Sequence, residues 1–238
     1  VAPMSVLFHK PGKGFLVLLT SLGLLASLWG CSSTPSSVQG KARSLIEEGD
    51  AAAAIELIER TFGKELGDAA VLLLRARAYE DLGDGPQARQ DYSRAIELNP
   101  DSPDAWEARG ELLGKIGDSD AALGDLEHAR SLRPGQASIL AAIGLIHLQR
   151  GDLAQATSYF DKCFELDAHS ESAYFGRAAV CMEKADYEGA IREMDKLLEL
   201  QPTNVQALLR RGYAFMKDSR PLKAIEDFDK AVKLEPGV

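Results

Sequence analysis

Cysteine, histidine and aromatic side chains are scarce in this 238-residue chain, and each scarcity removes a class of protein. Three cysteines are too few for a disulfide scaffold, and four scattered histidines without a Cys/His cluster leave no ligand set for a metal ion. Aromatic residues make up 7% of a chain that is 45% hydrophobic, the composition of an ordinary globular protein rather than a disordered or fibrous one. Basic clusters are missing too. Against 36 acidic side chains stand 27 basic ones, the net charge is -9, and no basic run exceeds a pair, so nothing here displaces counterions from phosphates as a nucleic-acid surface must. The chain also lacks a phosphate-binding glycine loop, a zinc helix motif and a nucleophile elbow. The expectation is a protein that is no enzyme, takes no cofactor and binds no nucleic acid.

What is present begins with a targeting pattern. Lys10 and Lys13 precede an apolar stretch from Phe15 to Trp29, broken only by Thr20, Ser21, Gly23 and Ser27. It falls short of the roughly 20 residues that span a hydrocarbon core, so residues 1–30 read as a cleaved signal segment. Leu28-Trp29-Gly30-Cys31 follows, and then a serine-rich stretch from Ser32 to Ser37. This resembles the lipobox of bacterial lipoproteins, with Trp29 standing where the family usually has a small residue. The resemblance implies that Cys31 carries a diacylglyceryl thioether and becomes the new N-terminus, with residues 31–37 as a tether to the membrane. Ser32 in place of an aspartate points to the outer membrane, facing the periplasm. Two or three acyl chains at about 0.8 kcal/mol per buried methylene hold a protein stably at a bilayer. An unmodified Cys31 behind an ordinary signal, or an uncleaved anchor, are the alternatives.

Beyond the tether the sequence repeats every 34 residues. Pro100, Pro134, Pro202 and Pro236 stand at multiples of 34, with Ala168 in the remaining slot. Written from Pro35, the chain forms six rows without insertion: 35–68, 69–102, 103–136, 137–170, 171–204 and 205–238. Row position 20 is always alanine, and position 8 is always alanine or glycine. Positions 15 and 16 read Gly-Asp in four rows, from Gly49-Asp50 to Gly151-Asp152, then Ala185-Asp186 and Ser219-Arg220. A helix stop followed by a helix start makes each row two helices joined by a tight turn. Apolar or small residues at positions 4, 8, 11, 20, 24, 27 and 28 give the spacing of buried helical faces, and positions 8 and 20 are expected to let the two backbones approach.

Trp106, Gly110, Leu113, Ala122, Leu126, Ala129 and Pro134 of the third row carry the resemblance most fully: the array from 38 to 238 is similar to the tetratricopeptide repeat family. The first row departs most, with Gly40 expected to interrupt its first helix and with Thr61 and Leu66 replacing the usual alanine and proline. The resemblance implies an all-α, right-handed superhelical solenoid of six helix-turn-helix repeats. It also implies a concave groove, lined by the first helices, that binds a partner protein as a peptide or helix. Among tetratricopeptide lipoproteins, a short tether and six repeats resemble those that help assemble type IV pilus secretins. Adaptors for cell-wall hydrolases or proteases, and a cytoplasm-facing array on an uncleaved anchor, are the competing expectations. The carboxylate clamp of chaperone-binding members needs Lys at position 5 and Asn at position 9 of one repeat, and no row has that asparagine.

Positions 2, 5, 9, 12 and 13 of each first helix form the stripe expected to face the groove. The residues singled out on it are Leu73, Arg77, Leu145, Leu148, Phe175, Met182, Leu209, Tyr213 and Met216. Arginine at position 7 (Arg75, Arg109, Arg177, Arg211) coincides row by row with an acid at position 23 (Asp91, Asp125, Glu193, Asp227), which predicts pairs across each hairpin. Cys163 and Cys181 are expected to stay unbridged, offset by about five residues along neighbouring helices. His128, His147 and His169 fall in three different settings, none beside a nucleophile.

Overall fold

The computed structural model describes residues 35–63 and 66–237. The targeting segment and Cys31 lie outside them. Among the described residues there are twelve helices and no strand. The first helices of the six rows are α1 (Pro35–Glu47), α3 (Ala69–Asp81), α5 (Pro103–Lys115), α7 (Ala137–Gln149), α9 (Glu171–Glu183) and α11 (Val205–Lys217). Between them run α2 (Ala51–Phe62), α4 (Gly85–Leu98), α6 (Ser119–Leu132), α8 (Leu153–Leu166), α10 (Tyr187–Leu200) and α12 (Pro221–Leu234). No described helix is long and apolar enough to cross a membrane.

Two expectations about the first row are corrected. Gly40 does not interrupt the first helix, because α1 runs unbroken through it; one glycine costs a helix only about 1 kcal/mol, and docking of Val38 and Ala42 in the core offsets that. Helix α1 also begins at Pro35, so the last three residues assigned to the tether are helical, with proline in its favoured place at a helix start. Leu66, at the slot where four of the other five rows have proline, is buried in the core with Ile58 and Val71.

The turn at position 15 needs a left-handed residue in every row. Gly49, Gly83, Gly117 and Gly151 have φ of +77° to +88°, and Ala185 and Ser219 are held there at +56° and +59°. The amide of the residue after each turn reaches back to close the helix end, as from Asp84 N to Tyr79 O at 2.8 Å and Asp186 N to Cys181 O at 2.9 Å. Asp50, Asp84, Asp118 and Asp186 then cap the following helices by accepting from a backbone amide.

Close approach within a hairpin pairs position 8 with the side chain at position 24. A Cβ on Gly110 would stand 2.8 Å from Leu126 Cγ, and one on Gly144 or Gly212 would strike Phe160 or Phe228 at 2.7 Å and 2.6 Å. Phe160 is fully buried and is also pressed by Gly176 of the next repeat, so one ring is gripped by two glycines on successive first helices.

The predicted arginine pairs form in all four rows. Arg75 donates to both carboxylate oxygens of Asp91 at 2.7 and 2.8 Å, Arg109 to Asp125 at 2.6 and 2.9 Å, and Arg211 to Asp227 at 2.8 and 2.6 Å. Arg177 meets Glu193 at 3.2 Å. Each arginine also reaches position 25 of the preceding repeat: Glu59 at 3.4 Å, Ser93 at 3.1 Å, Asp161 at 3.4 Å and Asp195 at 2.7 Å. The guanidinium fork therefore ties a first helix to the second helices on both sides of it. In the fourth row Ile143 replaces the arginine, and Glu127 instead accepts from the hydroxyl of Tyr159 at 3.1 Å. This seam between repeats holds the array in register.

Candidate functional site

First helices that succeed one another around the array leave depressions between them, and three of these run along the wall the sequence stripe predicted. The first, about 600 Å³, lies between α1, α3 and α5 and is lined by Leu73 and Arg77 together with Arg43, Asp81 and Asp104. The second, about 220 Å³, lies between α5 and α7 with Leu145, Glu111 and Lys115 on its walls. The third, about 370 Å³, lies between α9 and α11; Met182, Leu209 and Tyr213 line it, with Met194 of α10 beneath and Glu183, Gln206 and Arg210 at the edge.

Six of the nine residues chosen from sequence thus line depressions. Met216 lies 51% exposed on the last turn of α11. Leu148 and Phe175 are half-buried and shared with the core: Leu148 packs with the cluster of Leu140 and Val180, and Phe175 with the C-terminal cluster. Arg210 lies 4.6 Å over the Phe175 ring and covers its outer face, whereas Tyr213 is 53% exposed with Lys217 at 5.3 Å. The physical reason for the difference is neighbour supply. Phe175, at position 5, meets Arg210 of the next first helix, whereas among the described residues no first helix follows α11 to cover Tyr213, at position 9.

Arg210 and Met194 were not on the sequence stripe. Position 6 holds Leu74, Ala108, Ala142 and Gly176 in the preceding rows, so nothing periodic marked Arg210 as a lining residue. Met194 occupies a core position and is fully buried, and it forms the floor of the depression because the residues beside it, Ala178 and Ala179, are small.

Electrostatics divide the wall in two. In the N-terminal half, Glu107 accepts from Gln136 at 2.7 Å and Ser138 at 2.6 Å, and Lys115 pairs with Glu80 at 2.5 Å. Glu111 stays in contact with solvent at the bottom of this half, where the surrounding protein, and next the charge of Glu107, push its carboxyl above the usual glutamate range. The C-terminal half is methionine, leucine and tyrosine. Such a wall offers adaptable apolar contacts, with Glu183 and Arg210 at its edge, and among the described residues no group of His, Cys, Asp and Glu could hold a metal ion.

Cys163 is a buried free thiol that donates to Ala137 O at 3.2 Å, and burial pushes its pKa up; Cys181 is a free thiol as well. His147 stacks on Tyr159 at 5.4 Å and His128 lies 4.3 Å from Trp106, so both rings serve packing.

Comparison with known proteins agrees with the periodicity. Tetratricopeptide repeat models match residues 76–117, 107–171, 147–212 and 205–237, which together cover the chain from 76 to 237. No curated protein sequence matches. Among solved structures, PilW, described as a widely conserved type IV pilus biogenesis factor, superposes with a TM-score of 0.72 at 16% identity over 84% of this chain and 93% of that one. PilF of Pseudomonas aeruginosa gives 0.66 at 18% identity, over 85% of this chain and 92% of that one. The Cut9-Hcn1 hetero-tetramer of the APC/C also gives 0.72, at 19% identity over 85% of this chain, which spans 40% of the chain it matches there. At these identities the likeness is one of fold: an all-α, right-handed superhelical solenoid of six repeats.

Proposed function

The chain belongs to the tetratricopeptide repeat family, and from that premise we propose that it is a non-catalytic scaffold of the bacterial envelope. It holds a segment of a partner protein along the inner wall, with a bulky apolar side chain of that segment seated between α9 and α11. The observation that carries this reading is the depression lined by Met182, Met194, Leu209 and Tyr213, an apolar seat with polar groups only at its rim. Its aromatic member is exposed and free to make contact.

The pathway we propose is assembly of a type IV pilus component, with the protein attached to the outer membrane through lipid on Cys31. The lipobox resemblance supports the attachment, and the fold shared with PilW and PilF over most of both chains supports the pathway.

The experiment is site-specific photo-crosslinking in a pilus-bearing host. A photoreactive residue at Tyr213 is expected to capture a pilus-assembly protein, while one at the exposed Ile116, away from this wall, captures none. Capture of a cell-wall hydrolase or protease in its place would transfer the protein to the adaptor class. Mass spectrometry of the mature N-terminus tests the anchor: an acylated Cys31 is expected, and an intact residue 1–30 segment refutes lipidation.

A further inference from the structure

The depression between α9 and α11 carries opposite charges at its two ends. Arg210 stands at position 6 of its row, where Gly40, Leu74, Ala108, Ala142 and Gly176 are all small or apolar, and its guanidinium rests 4.6 Å from the centre of the Phe175 ring of α9. Glu183, the last residue of α9, lines the other end. Both are exposed, and among the described residues neither has an ion-pair partner, although the adjacent Arg211 holds Asp227 at 2.6 Å and Asp195 at 2.7 Å. The equivalent depression between α5 and α7 differs at both places: Ala142 stands at position 6, and Lys115 at position 13 is already paired with Glu80. Arg210 reaches back to α9, so its place on this wall owes nothing to any later repeat.

Taking this depression as the seat of the partner segment, as proposed above, we infer that the segment carries an acid and a base with a bulky apolar residue between them, the acid against Arg210 and the base against Glu183. Stacking on Phe175 covers one face of the guanidinium and fixes its plane. Its N–H edge stays open to a carboxylate, which arginine binds through two parallel hydrogen bonds. Helices α9 and α11 run parallel, each being antiparallel to α10 between them, so positions 6 and 13 lie about seven residues or roughly 10 Å apart along them. An extended segment covers that distance in about three residues. Met182, Leu209 and Met194 lie between the two charges and receive the apolar side chain. The charges also fix the direction of the segment, because a reversed one sets acid against Glu183 and base against Arg210, where like charges repel.

The test selects binders from a display library of random peptides on the whole protein and titrates the selected sequences by fluorescence anisotropy. They are expected to share a bulky apolar residue between an acid and a base in one fixed order, and to bind Arg210→Glu about tenfold or more weakly. Replacing the acid of such a peptide by lysine restores binding to Arg210→Glu and removes it from the parent. A variant that had merely lost its fold through uncovering Phe175 could not regain affinity in this way. Glu183→Lys, paired with a peptide whose base is replaced by glutamate, gives the mirror result. Peptides that depend on Tyr213, losing affinity with Tyr213→Ala, yet show no fixed acid and base or ignore Arg210→Glu overturn the inference and leave the seat standing. Selection that yields no binder, or only binders that ignore Tyr213→Ala, removes the seat and the inference with it.

Discussion

Arg75 is 8% exposed and Asp91 4%, so each has exchanged its hydration for the other. Removing one partner of such a pair strands the other charge in a dry site, which costs about 3 kcal/mol or more. Arg177 makes a single longer contact with Glu193 and is about a third exposed, and Lys196 still pairs with the buried Glu193 at 3.1 Å when the arginine is removed, so its loss costs only about 1 kcal/mol. Urea denaturation of Arg75→Ala and Arg177→Ala should therefore show a clearly larger drop for the first. Glu111 allows a second test at this scale. Its carboxyl is raised in the folded state by the protein that displaces part of its water and by the charge of Glu107, so the folded protein favours the protonated form. Stability associated with this group is present at low pH and is lost as pH rises through the raised value. Glu111→Gln should accordingly melt higher than the parent at pH 7, and the gap should close as pH falls towards about 4. A gap that widened on acidification would show that the carboxylate is stabilised instead.

Helices in this array start and stop by chemistry that a few residues supply. Aspartate at position 16 and a left-handed residue at position 15 do most of it, and the exceptions show the cost. Ala185 and Ser219 adopt φ of +56° and +59°, where a Cβ crowds the following carbonyl at about 1 kcal/mol or more. Ala185→Gly should therefore raise stability by about 0.5 to 1 kcal/mol despite glycine's greater freedom in the unfolded chain. Thermal denaturation of Ala185→Gly beside Gly151→Ala checks this, with opposite signs expected for the two. Both elements were legible in sequence, because a turn residue acts on its own neighbours. The continuity of α1 through Gly40 was not legible, because the compensation comes from Val38 and Ala42 docking on other helices.

Across the whole molecule, the inner wall separates residues that share a sequence stripe. Phe175 and Tyr213 both lie on the stripe, yet one is tucked beneath Arg210 and the other is half in water. Phe175→Ala should lower the melting temperature as a core truncation does, by the equivalent of about 3 kcal/mol. Tyr213→Ala should leave it nearly unchanged and weaken a captured partner by about thirtyfold, the usual cost of losing a central aromatic anchor. If instead Tyr213→Ala destabilises the fold and spares binding, the seat between α9 and α11 is not the binding site.

A period of 34 with in-phase turns, small residues and proline sufficed to place the twelve described helices in six pairs, save for the unbroken run of α1 through Gly40, and matched acids and arginines sufficed to pair position 7 with position 23. Those are relations within one hairpin, where fixed helical geometry converts spacing directly into proximity. The second reach of each arginine to the preceding repeat, the grip of Gly144 and Gly176 on Phe160, and the division of the groove stripe into core and wall were decided only by the tertiary structure. Each depends on how one repeat is laid against the next, and that rotation is set by the summed shapes of the side chains between them rather than by any residue's place in its own row.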